Sequence, residues 1–595
     1  MSDTNDPVYY SAVVTADGDY VAKAPLTPTD DQRDKIILAK SCVIPVLFIP
    51  GIMGTNLMQK DGSIVWRPPN MDARGAANAI GQLFEYLFKS TKQRVKELKT
   101  DDALIDPRAS ITVGDSGLAE NVLRARQWGT VLRTSYHPLM AKLQFNLNNL
   151  SKFIPASCTA ELQAWAAREA GEAPTEWGAQ NGAALTREEI LHAANYHFDV
   201  WGGGYNWLQS NRDSGKNIQD YIEKVILPYY NEGKQVEVQT ADDQPCKIQR
   251  TRAARPLAEK VIVVTHSMGG LVSRSLTEIH HCDKVLGVSH GVQPATGAPD
   301  TYKRMRAGAD GIAQLFLGRN AADLTAILTQ AQGGMELLPM ADYNDGKPWL
   351  RVRDKAVPED EDSGIGISLP TNGDPYEEIY KSAEWYGLVP RENEKLMNPA
   401  GGESKSEVPS RPEQDEPREP LDKMIKRVEE FHTDIQGKYK SPTYVHYGDQ
   451  GLRGQTGKRG GLLGTGLGAD DHRFAFGQVV WEGRGGSQVE PDATLLNDDQ
   501  NGKIELVSGV KLRIAKADAP GDGTVPWQSG AAPEGKSGVD MVFAHGQSHS
   551  GSHNTEFGYD HQDAYNDPRA LYATLYAIVK IAQNANWHKG EEASE

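Results

Sequence analysis

Two segments of the chain are apolar almost without interruption. The first, residues 43–49, reads Val-Ile-Pro-Val-Leu-Phe-Ile and ends at a Pro-Gly pair. The second, residues 260–265, reads Lys-Val-Ile-Val-Val-Thr. Strands that are buried on both faces have such continuous apolar runs, whereas half-exposed strands alternate between apolar and polar positions. Both segments are therefore predicted to be strands in the interior of a sheet.

The residues after the second run change first to a helical pattern and then back to a strand pattern. Helical propensity continues to residue 279, and residues 284–289 are again mostly apolar. A strand, a helix and a strand at this spacing form a crossover between parallel strands. The fold class is therefore predicted to be α/β, with a mostly parallel sheet and helices on both faces. Further strands are predicted at 443–447 and 539–543, and helices at 218–226 and 570–582.

The chain, at 595 residues, is too long for one core of ordinary size. Residues 1–40 are polar and are predicted to form an N-terminal arm. The core is predicted in two parts, 41–295 and 441–595, which an insertion at 296–440 separates. No strand pattern is visible in this insertion, and its middle is rich in proline and charged residues. We interpret the insertion as a candidate lid or cap.

An apolar stripe near the end of the insertion follows helical spacing. This stripe predicts an amphipathic helix that packs on the protein rather than on a membrane. Its residues are Leu421, Met424, Ile425, Val428 and Phe431. The glycine-rich stretch 451–468 is predicted to be a loop and not a phosphate cradle, because no Gly-Lys-Ser/Thr ends it.

The composition argues against several classes of function. A formal net charge of −17 disfavours binding to nucleic acid and simple electrostatic docking to anionic lipid. No apolar run reaches the length of about 18 residues that a membrane span needs, and the polar N-terminus shows no signal peptide. No Cys-x-x-Cys pair occurs, so neither a disulfide framework nor a zinc knuckle is predicted. The cysteines are Cys42, Cys158, Cys246 and Cys282.

The segment Thr265-His266-Ser267-Met268-Gly269 indicates a catalytic serine. A serine hydroxyl is a poor nucleophile unless a base takes its proton and the backbone presents it to substrate. A sharp turn between a buried strand and a helix presents it, and the residues two before and two after must be small. Gly269 meets this requirement, whereas Thr265 replaces the usual first glycine. Ser267 is therefore predicted to be the nucleophile of an α/β-hydrolase fold.

Two backbone amides are predicted to stabilise the negative charge that develops on the attacked carbonyl. The Met268 N–H lies at the start of the helix, where donors and the helix dipole favour an anion. The second donor is expected in the Pro50-Gly51-Ile52-Met53-Gly54-Thr55 loop after the first strand. Ile52 is the preferred donor and Met53 the alternative, while a plain turn at the end of the strand is the structural interpretation of this loop.

Asp522 is predicted to be the catalytic acid. It lies between two glycines in Gly521-Asp522-Gly523-Thr524-Val525-Pro526, a turn that can bury the carboxylate against an imidazole. In this fold the acid follows the nucleophile and precedes the histidine along the chain. The alternative is a structural role for this carboxylate within its own turn.

Four histidines lie close together after the last predicted strand: His545, His549, His553 and His561. His561 lies just before the final helix, a position that orients a side chain well, and it is predicted to be the base. His545 and His549 remain alternatives. The spacing of the first three histidines would suit a metal site on a helix, but nearby glycines disfavour that helix. No metal and no cofactor are therefore predicted.

These residues predict acyl transfer in two steps through a covalent intermediate on the serine, with an ester as substrate. One alternative is an esterase or acyltransferase of the same fold that acts on soluble esters. A peptidase with the same three residues is another. A third is a catalytically inactive hydrolase scaffold that only binds.

Several segments resemble lecithin:cholesterol acyltransferase-like lipases. They cover the hydrolase core but not the insertion, and they are residues 48–55, 61–66, 204–211, 264–270 and 521–526. More narrowly, the Thr-His-Ser-Met-Gly-Gly sequence at 265–270 and the Asp560-His561 to Ala564-Tyr565 segment are similar to a family of type VI secretion lipase effectors.

The narrower resemblance implies an antibacterial phospholipase. Such a protein would be made in the bacterial cytoplasm without a signal peptide and would act in the target-cell periplasm on the phospholipid membrane of that cell. The resemblance also implies two protein partners. One is a cognate immunity protein, and the other is the type VI secretion spike, reached directly or through an adaptor protein.

Overall fold

The computed structural model describes residues 42–67, 103–150, 169–240, 245–250, 256–308, 320–358, 361–397, 418–450, 474–546, 548–555 and 558–587, and the backbone of four short strands before residue 42. These four strands form a parallel pair, Val8–Tyr10 with Asp34–Ile36, and an antiparallel pair, Val13–Val14 with Tyr20–Val21. The rest of the predicted arm and the predicted loop at 451–468 lie outside the described residues.

Two six-stranded sheets dominate the part of the chain that the structure describes. Their strands are β1 (Val43–Ile49), β2 (His197–Gly202), β3 (Val261–His266), β4 (Val285–Gly291), β5 (Leu350–Asp354), β6 (Ile365–Leu369), β7 (Thr443–Asp449), β8 (Val479–Gly483), β9 (Leu495–Asp498), β10 (Lys503–Leu506), β11 (Lys511–Ile514) and β12 (Val539–Gly546). Smaller sheets pair Leu57–Met58 with Ile64–Trp66 and Leu104–Ile105, and Val236–Val238 with Cys246–Ile248.

The central sheet has the strand order β12-β7-β4-β3-β1-β2, and every neighbouring pair is parallel. Its interior strands β1 and β3 are buried along their whole length. Their continuous apolar sequences arise because helices cover both faces of the sheet. The predicted α/β-hydrolase class, with a mostly parallel sheet, is confirmed.

Helices flank this sheet on both sides. The α-helices among the described residues are α1 (Glu120–Ala125), α2 (Arg133–Leu147), α3 (Arg187–Ala193), α4 (Asn211–Tyr221), α5 (Leu227–Asn231), α6 (Gly269–Arg274), α7 (Pro299–Ala307), α8 (Ala321–Leu328), α9 (Gln332–Met335), α10 (Glu419–Ile435), α11 (Trp527–Gly530) and α12 (Pro568–Ala582). One-turn π-helical segments continue α4 and α6, at Ile222–Ile226 and Ser275–Ile279.

Successive side chains of β1 belong to two different groups of buried residues. Val43 and Leu47 pack in the group that includes α4, α6 and α10, whereas Ile44 and Val46 pack in the group that includes α2 and α12. This division follows from the strand geometry, in which successive side chains point to opposite faces. The sheet therefore separates two apolar layers.

The expectation that residues 296–440 contain no strands is wrong. Strands β5 and β6 lie in this segment, and β5 pairs in parallel with β8, which lies beyond residue 440. The second sheet has the order β6-β5-β8-β11-β10-β9, so the predicted insertion and the second part of the core share it. Both strands are only five residues long and half-exposed, and the alternation of leucine and valine with arginine in β5, although typical of a half-exposed strand, covers too few positions to distinguish it from a loop.

Several other expectations are confirmed. The apolar stripe of the insertion lies on α10, where all five of its residues are buried. The strands predicted at 443–447 and 539–543 are β7 and β12, and the final predicted helix is α12.

Three cysteines fall within the described residues, and Cys42, Cys246 and Cys282 form no disulfide there. No helix in the described ranges is long and apolar enough to cross a membrane.

A buried carboxyl group joins the predicted insertion to α4. Glu336, directly after α9, is fully buried, and its Oε2 accepts the N–H of Asn211 in the first turn of α4 at 2.8 Å. Its Oε1 accepts a hydrogen bond from Gln332 Nε2 at 2.9 Å. Burial raises the pKa of Glu336 from 4.5 to about 7, although these hydrogen bonds act in the opposite direction. The folded protein therefore holds this proton more tightly than the unfolded chain does.

We expect Glu336 to make the stability of the protein fall as the pH rises through about 7. Its folded-state pKa is raised, so the stabilising effect is complete below the unfolded pKa of 4.5 and is lost above the folded pKa of about 7. A shift of this size corresponds to ~3 kcal/mol, lost between about pH 4.5 and about pH 7. Glu336→Gln removes the titration, so thermal unfolding should show the variant gaining on the wild type across this range, with a constant difference above it. Glu188→Gln, on the exposed surface of α3, is the control, and equal slopes for all three proteins would contradict the assignment.

Candidate active site

The chain turns sharply at Ser267, between β3 and α6. Ser267 has a φ of 52°, a left-handed conformation that residues other than glycine rarely adopt. Its N–H donates to the carbonyl of Gly291 at the end of β4, and its own carbonyl accepts the N–H of Gly270, both at 2.9 Å. Hydrogen bonds from the neighbouring strand and from the helix thus hold the turn in this unusual conformation.

Gly269 has no room for a side chain. A Cβ at this position would lie 2.5 Å from the carbonyl oxygens of both Ile49 and Pro50. The small residue that the sequence motif requires here is therefore explained by the close approach of α6 to the end of β1. Thr265, two positions before the serine, is fully buried, and its Oγ1 hydrogen bonds with Nδ1 of His290 on β4 at 2.9 Å.

The structure brings Ser267, His561 and Asp522 into contact. Ser267 Oγ lies 2.8 Å from His561 Nε2, and His561 Nδ1 lies 2.7 Å from Asp522 Oδ2. Ser267 is 5% exposed and Asp522 is 2% exposed. An imidazole between a hydroxyl and a carboxylate can take the hydroxyl proton at Nε2 while its Nδ1–H donates to the carboxylate. The arrangement is therefore able to activate Ser267 for attack on a carbonyl carbon.

The two carboxylate oxygens of Asp522 have different partners. Oδ1 accepts the N–H groups of Thr524 at 3.0 Å and Val525 at 2.8 Å, and so holds the turn. Oδ2 is left for the imidazole. The turn is attached to the end of β7, because the N–H of Gln450 donates to the carbonyl of Gly521 at 3.1 Å. The structural and the catalytic interpretations of this carboxylate are thus compatible.

The alternative bases have other partners. Nδ1 of His545, at the end of β12, lies 3.0 Å from the hydroxyl of Tyr559, and burial lowers the pKa of this histidine well below its usual value. Nδ1 of His549 lies 2.6 Å from the carbonyl oxygen of Gly178. Within the described ranges, neither histidine hydrogen bonds with the nucleophile, whereas His561 does. The same residues include no cluster of three or more His, Cys, Asp or Glu side chains that could hold a metal ion.

The loop after β1 turns tightly beside the nucleophile. The N–H of Gly54 donates to the carbonyl of Gly51 at 3.0 Å, and Met53 has a φ of 61°. The backbone N–H groups of Ile52, Met53 and Met268 donate no hydrogen bond to any residue that the structure describes. Both predicted oxyanion donors, and the alternative, therefore keep an available N–H. Helix α6 begins directly after Met268, so its dipole adds positive potential there.

Helices of the predicted insertion cover this loop. Ile52 and Met53 are partly buried against the large apolar core to which α8 and α9 also contribute, and a Cβ on Gly334 of α9 would lie 3.8 Å from Ile52 Cδ1. Ser267 is 5% exposed, so the serine itself is largely covered by protein.

Two polar residues behind the site, His266 and Tyr136, have no function that the sequence predicts. His266 belongs to the serine motif, but the motif itself assigns it no function. Tyr136 lies on α2, in a part of the chain whose sequence shows no clear pattern, and its ring centroid lies 4.9 Å from that of Phe48 on β1. No local signal could have placed Tyr136 here, because its position depends on the packing of α2 against the sheet.

The chain is similar to one chain of a solved structure, the crystal structure of the Tle4–Tli4 complex. The two chains are 38% identical, and the match covers 91% of this chain and 99% of the other, with a TM-score of 0.75. No family model and no curated protein matches the sequence. The identity and the coverage are high enough to show common family membership.

We expect Gly269→Ala to lower the reactivity of Ser267 by about 100-fold or more, because the added methyl group would meet two main-chain oxygens and displace the turn. The measurement is the rate at which a fluorescent phosphonate ester labels Ser267. Gly171→Ala is the matched control, since Gly171 is exposed and its Cβ would meet nothing within 4 Å. Labelling of Gly269→Ala at the wild-type rate would contradict the proposed packing constraint.

Proposed function

We propose a function on the premise that the chain belongs to the type VI lipase effector family, whose members are phospholipase toxins with cognate immunity proteins. In this proposal the chain is a serine phospholipase that hydrolyses carboxylic ester bonds of membrane phospholipids by means of Ser267, His561 and Asp522. The observation that supports it most directly is the continuous contact from Ser267 Oγ through the His561 imidazole to Asp522 Oδ2.

The first step is acylation of the serine. His561 Nε2 accepts the proton of Ser267 as Oγ attacks the ester carbonyl carbon. The negative charge on the carbonyl oxygen is stabilised by the N–H groups of Met268 and Ile52, with the Met53 N–H as the alternative second donor. Asp522 Oδ2 accepts the Nδ1–H of His561, which orients the ring and stabilises its charged form. His561 then donates the proton to the departing alcohol, the lysophospholipid.

The second step releases the fatty acid. Water replaces the lysophospholipid, and His561 Nε2 takes a proton from this water as it attacks the acyl carbon. The same two amides stabilise the second oxyanion. Collapse of this intermediate breaks the bond to Ser267 Oγ, which regains its proton from His561. The cycle needs no cofactor, because every proton is exchanged between the substrate, water and these side chains.

We include the covering helices α8 and α9 in the proposal as a lid. Ser267 is 5% exposed and Ile52 lies close to Gly334 of α9, so in this proposal the helices move to admit an acyl chain. The covering surface is apolar, and an apolar surface uncovered beside a bilayer is stabilised by contact with lipid. The lid therefore implies higher activity on aggregated lipid than on monomeric lipid of the same structure.

The partners and the site of action belong to the same proposal. The Tle4 chain was crystallised in complex with Tli4, and by analogy we propose that a cognate immunity protein binds this chain. Delivery would use the secretion spike, directly or through an adaptor protein. The substrate would be the phospholipid membrane of the target cell, reached from its periplasm after synthesis in the cytoplasm of the producing cell.

We expect purified protein to release fatty acid from phosphatidylethanolamine–phosphatidylglycerol vesicles. Ser267→Ala and His561→Ala should each lower this release by about 10⁴-fold or more, because the members of a catalytic triad act as a unit. His549→Ala should retain most of the activity, since the imidazole of His549 hydrogen bonds with the Gly178 carbonyl instead. The measurement is titration of released fatty acid.

The outcomes of this assay separate the alternatives. Cleavage of short-chain soluble esters without release from vesicles would replace the phospholipase by a plain esterase. Release that survives Ser267→Ala would exclude the serine mechanism. Equal rates below and above the concentration at which a short-chain phospholipid forms micelles would exclude the lid.

We expect the protein to stop the growth of a susceptible bacterium when an added export signal directs it to the periplasm. The reason is that the proposed substrate, the phospholipid membrane, is reached from the periplasm. The same protein retained in the cytoplasm, and periplasmic Ser267→Ala, should both be tolerated. Growth curves and membrane-permeability dyes measure the effect. Equal toxicity from both compartments, or a toxic Ser267→Ala variant, would contradict the proposed site of action or its enzymatic basis.

A further inference from the structure

A chain of hydrogen bonds runs behind the three catalytic groups. The N–H of Gly51 donates to the hydroxyl oxygen of Tyr136 at 3.3 Å, and this hydroxyl lies 3.1 Å from His266 Nδ1. His266 Nε2 lies 2.9 Å from the backbone carbonyl oxygen of His561. The chain therefore connects the oxyanion loop, the residue before the nucleophile and the main chain of the base.

The directions of these hydrogen bonds follow from the acceptor at one end. A carbonyl oxygen only accepts, so Nε2 of His266 must carry the proton. In a neutral imidazole Nδ1 is then the acceptor, and the Tyr136 O–H donates to it. Burial lowers the pKa of His266 to about 3 and raises that of Tyr136 to about 12, so both groups stay neutral near pH 7. Each hydrogen bond of the chain thus has one defined direction.

We propose that His266 and Tyr136 are positioning residues for catalysis, which hold the base and the oxyanion loop in register with Ser267. This inference rests on the proposed serine-hydrolase function. Neither side chain touches the reacting atoms. His266 acts through the main chain of His561, and Tyr136 acts through His266 and Gly51.

The main chain of His561 is held on both sides. Its N–H donates to the carbonyl of Asp522 at 2.8 Å, and its carbonyl accepts the Nε2–H of His266. The first bond joins the base to the acid, and the second joins it to the residue beside the nucleophile. The 2.8 Å contact between His561 Nε2 and Ser267 Oγ therefore depends on two main-chain hydrogen bonds and not only on the imidazole contacts.

The other end of the chain reaches the oxyanion loop. Gly51 approaches so closely that a Cβ on it would lie 2.8 Å from His266 Nδ1 and 3.0 Å from Ser267 Cβ. Tyr136 accepts the N–H of Gly51, which directly precedes the predicted oxyanion donor Ile52. The Tyr136 hydroxyl therefore fixes the peptide next to that donor.

Close packing leaves these rings little freedom. Tyr136 is 1% exposed and His266 is 2% exposed. The ring centroids of Tyr136 and His266 lie 5.3 Å apart, and those of His266 and His561 lie 5.0 Å apart. A buried side chain that has lost its hydrogen-bond partner leaves another group unsatisfied, so each link depends on the next.

The test compares Tyr136→Phe, His266→Ala and His266→Gln with the wild type. Two readouts are used: hydrolysis of a soluble short-chain ester, and the maximal rate at which a phosphonate ester labels Ser267. We expect Tyr136→Phe and His266→Ala to lower kcat and the maximal labelling rate by about 10- to 100-fold, because catalysis is sensitive to small displacements of the reacting groups. KM should change by less than about twofold, since neither residue contacts substrate.

His266→Gln is the rescue variant. Its side-chain amide can place an N–H near the position of Nε2, so it should recover most of the rate that His266→Ala loses. Tyr302→Phe is the matched control. Like Tyr136, Tyr302 is a buried tyrosine, and its hydroxyl donates to the Tyr386 carbonyl at 2.6 Å. Tyr302 lies beside the second sheet, so loss of its hydroxyl should leave kcat unchanged.

Wild-type kcat and labelling rates in both Tyr136→Phe and His266→Ala would overturn the inference. An equal loss of rate in Tyr302→Phe would also overturn it. So would a loss that disappears once each rate is divided by the fraction of protein that the phosphonate labels at completion. Both results would indicate a general effect on folding. Failure of the proposed function is a separate result. In that case the wild type would cleave no phospholipid, while the labelling rates would still compare the variants.

Discussion

The close contact between the end of β1 and the start of α6 is the constraint on which the active-site geometry depends. Gly269 lies directly against the carbonyl oxygens of Ile49 and Pro50, so the helix can approach only where a side chain is absent. This approach forces the chain to turn within one residue, and Ser267 takes the left-handed conformation that the turn requires. The same contact brings the loop after β1 beside the nucleophile. One steric requirement thus positions both the Ser267 hydroxyl and the amides that are proposed to stabilise the developing charge.

The remaining groups come from distant parts of the chain and are attached through the backbone. Gln450 ties the Asp522 turn to the end of β7, and the N–H of His561 ties the base to the carbonyl of Asp522. Backbone groups must find partners wherever they are buried, so such attachments persist when the connecting segments are long. After β7 the chain leaves the central sheet and forms four strands of the second sheet. The backbone attachments explain how Asp522 nevertheless returns to the carboxyl end of β7.

The local order of apolar and polar residues predicted those strands and helices whose buried faces it directly reflects. Strands β1 and β3 are continuous apolar runs because both faces are covered, and α10 has a stripe because one face is covered. Strands β5 and β6 are harder to find in this way, because they are short and half-exposed. The alternation in β5 reflects which of its side chains are buried, but it does not show that β5 pairs with β8, which lies far along the chain.

By itself, the sequence determined the α/β class, the turn at Ser267 and a short set of acid and histidine candidates. These follow from contiguous residues and from the order of catalytic groups along an α/β-hydrolase chain. Only the tertiary structure decided that His561, rather than His545 or His549, lies against Ser267, and that Tyr136 lies behind His266. The physical reason is that a hydrogen bond between distant residues depends on the path of the chain in three dimensions. Sequence periodicity encodes which face of an element is buried, but not which distant side chain lies opposite it.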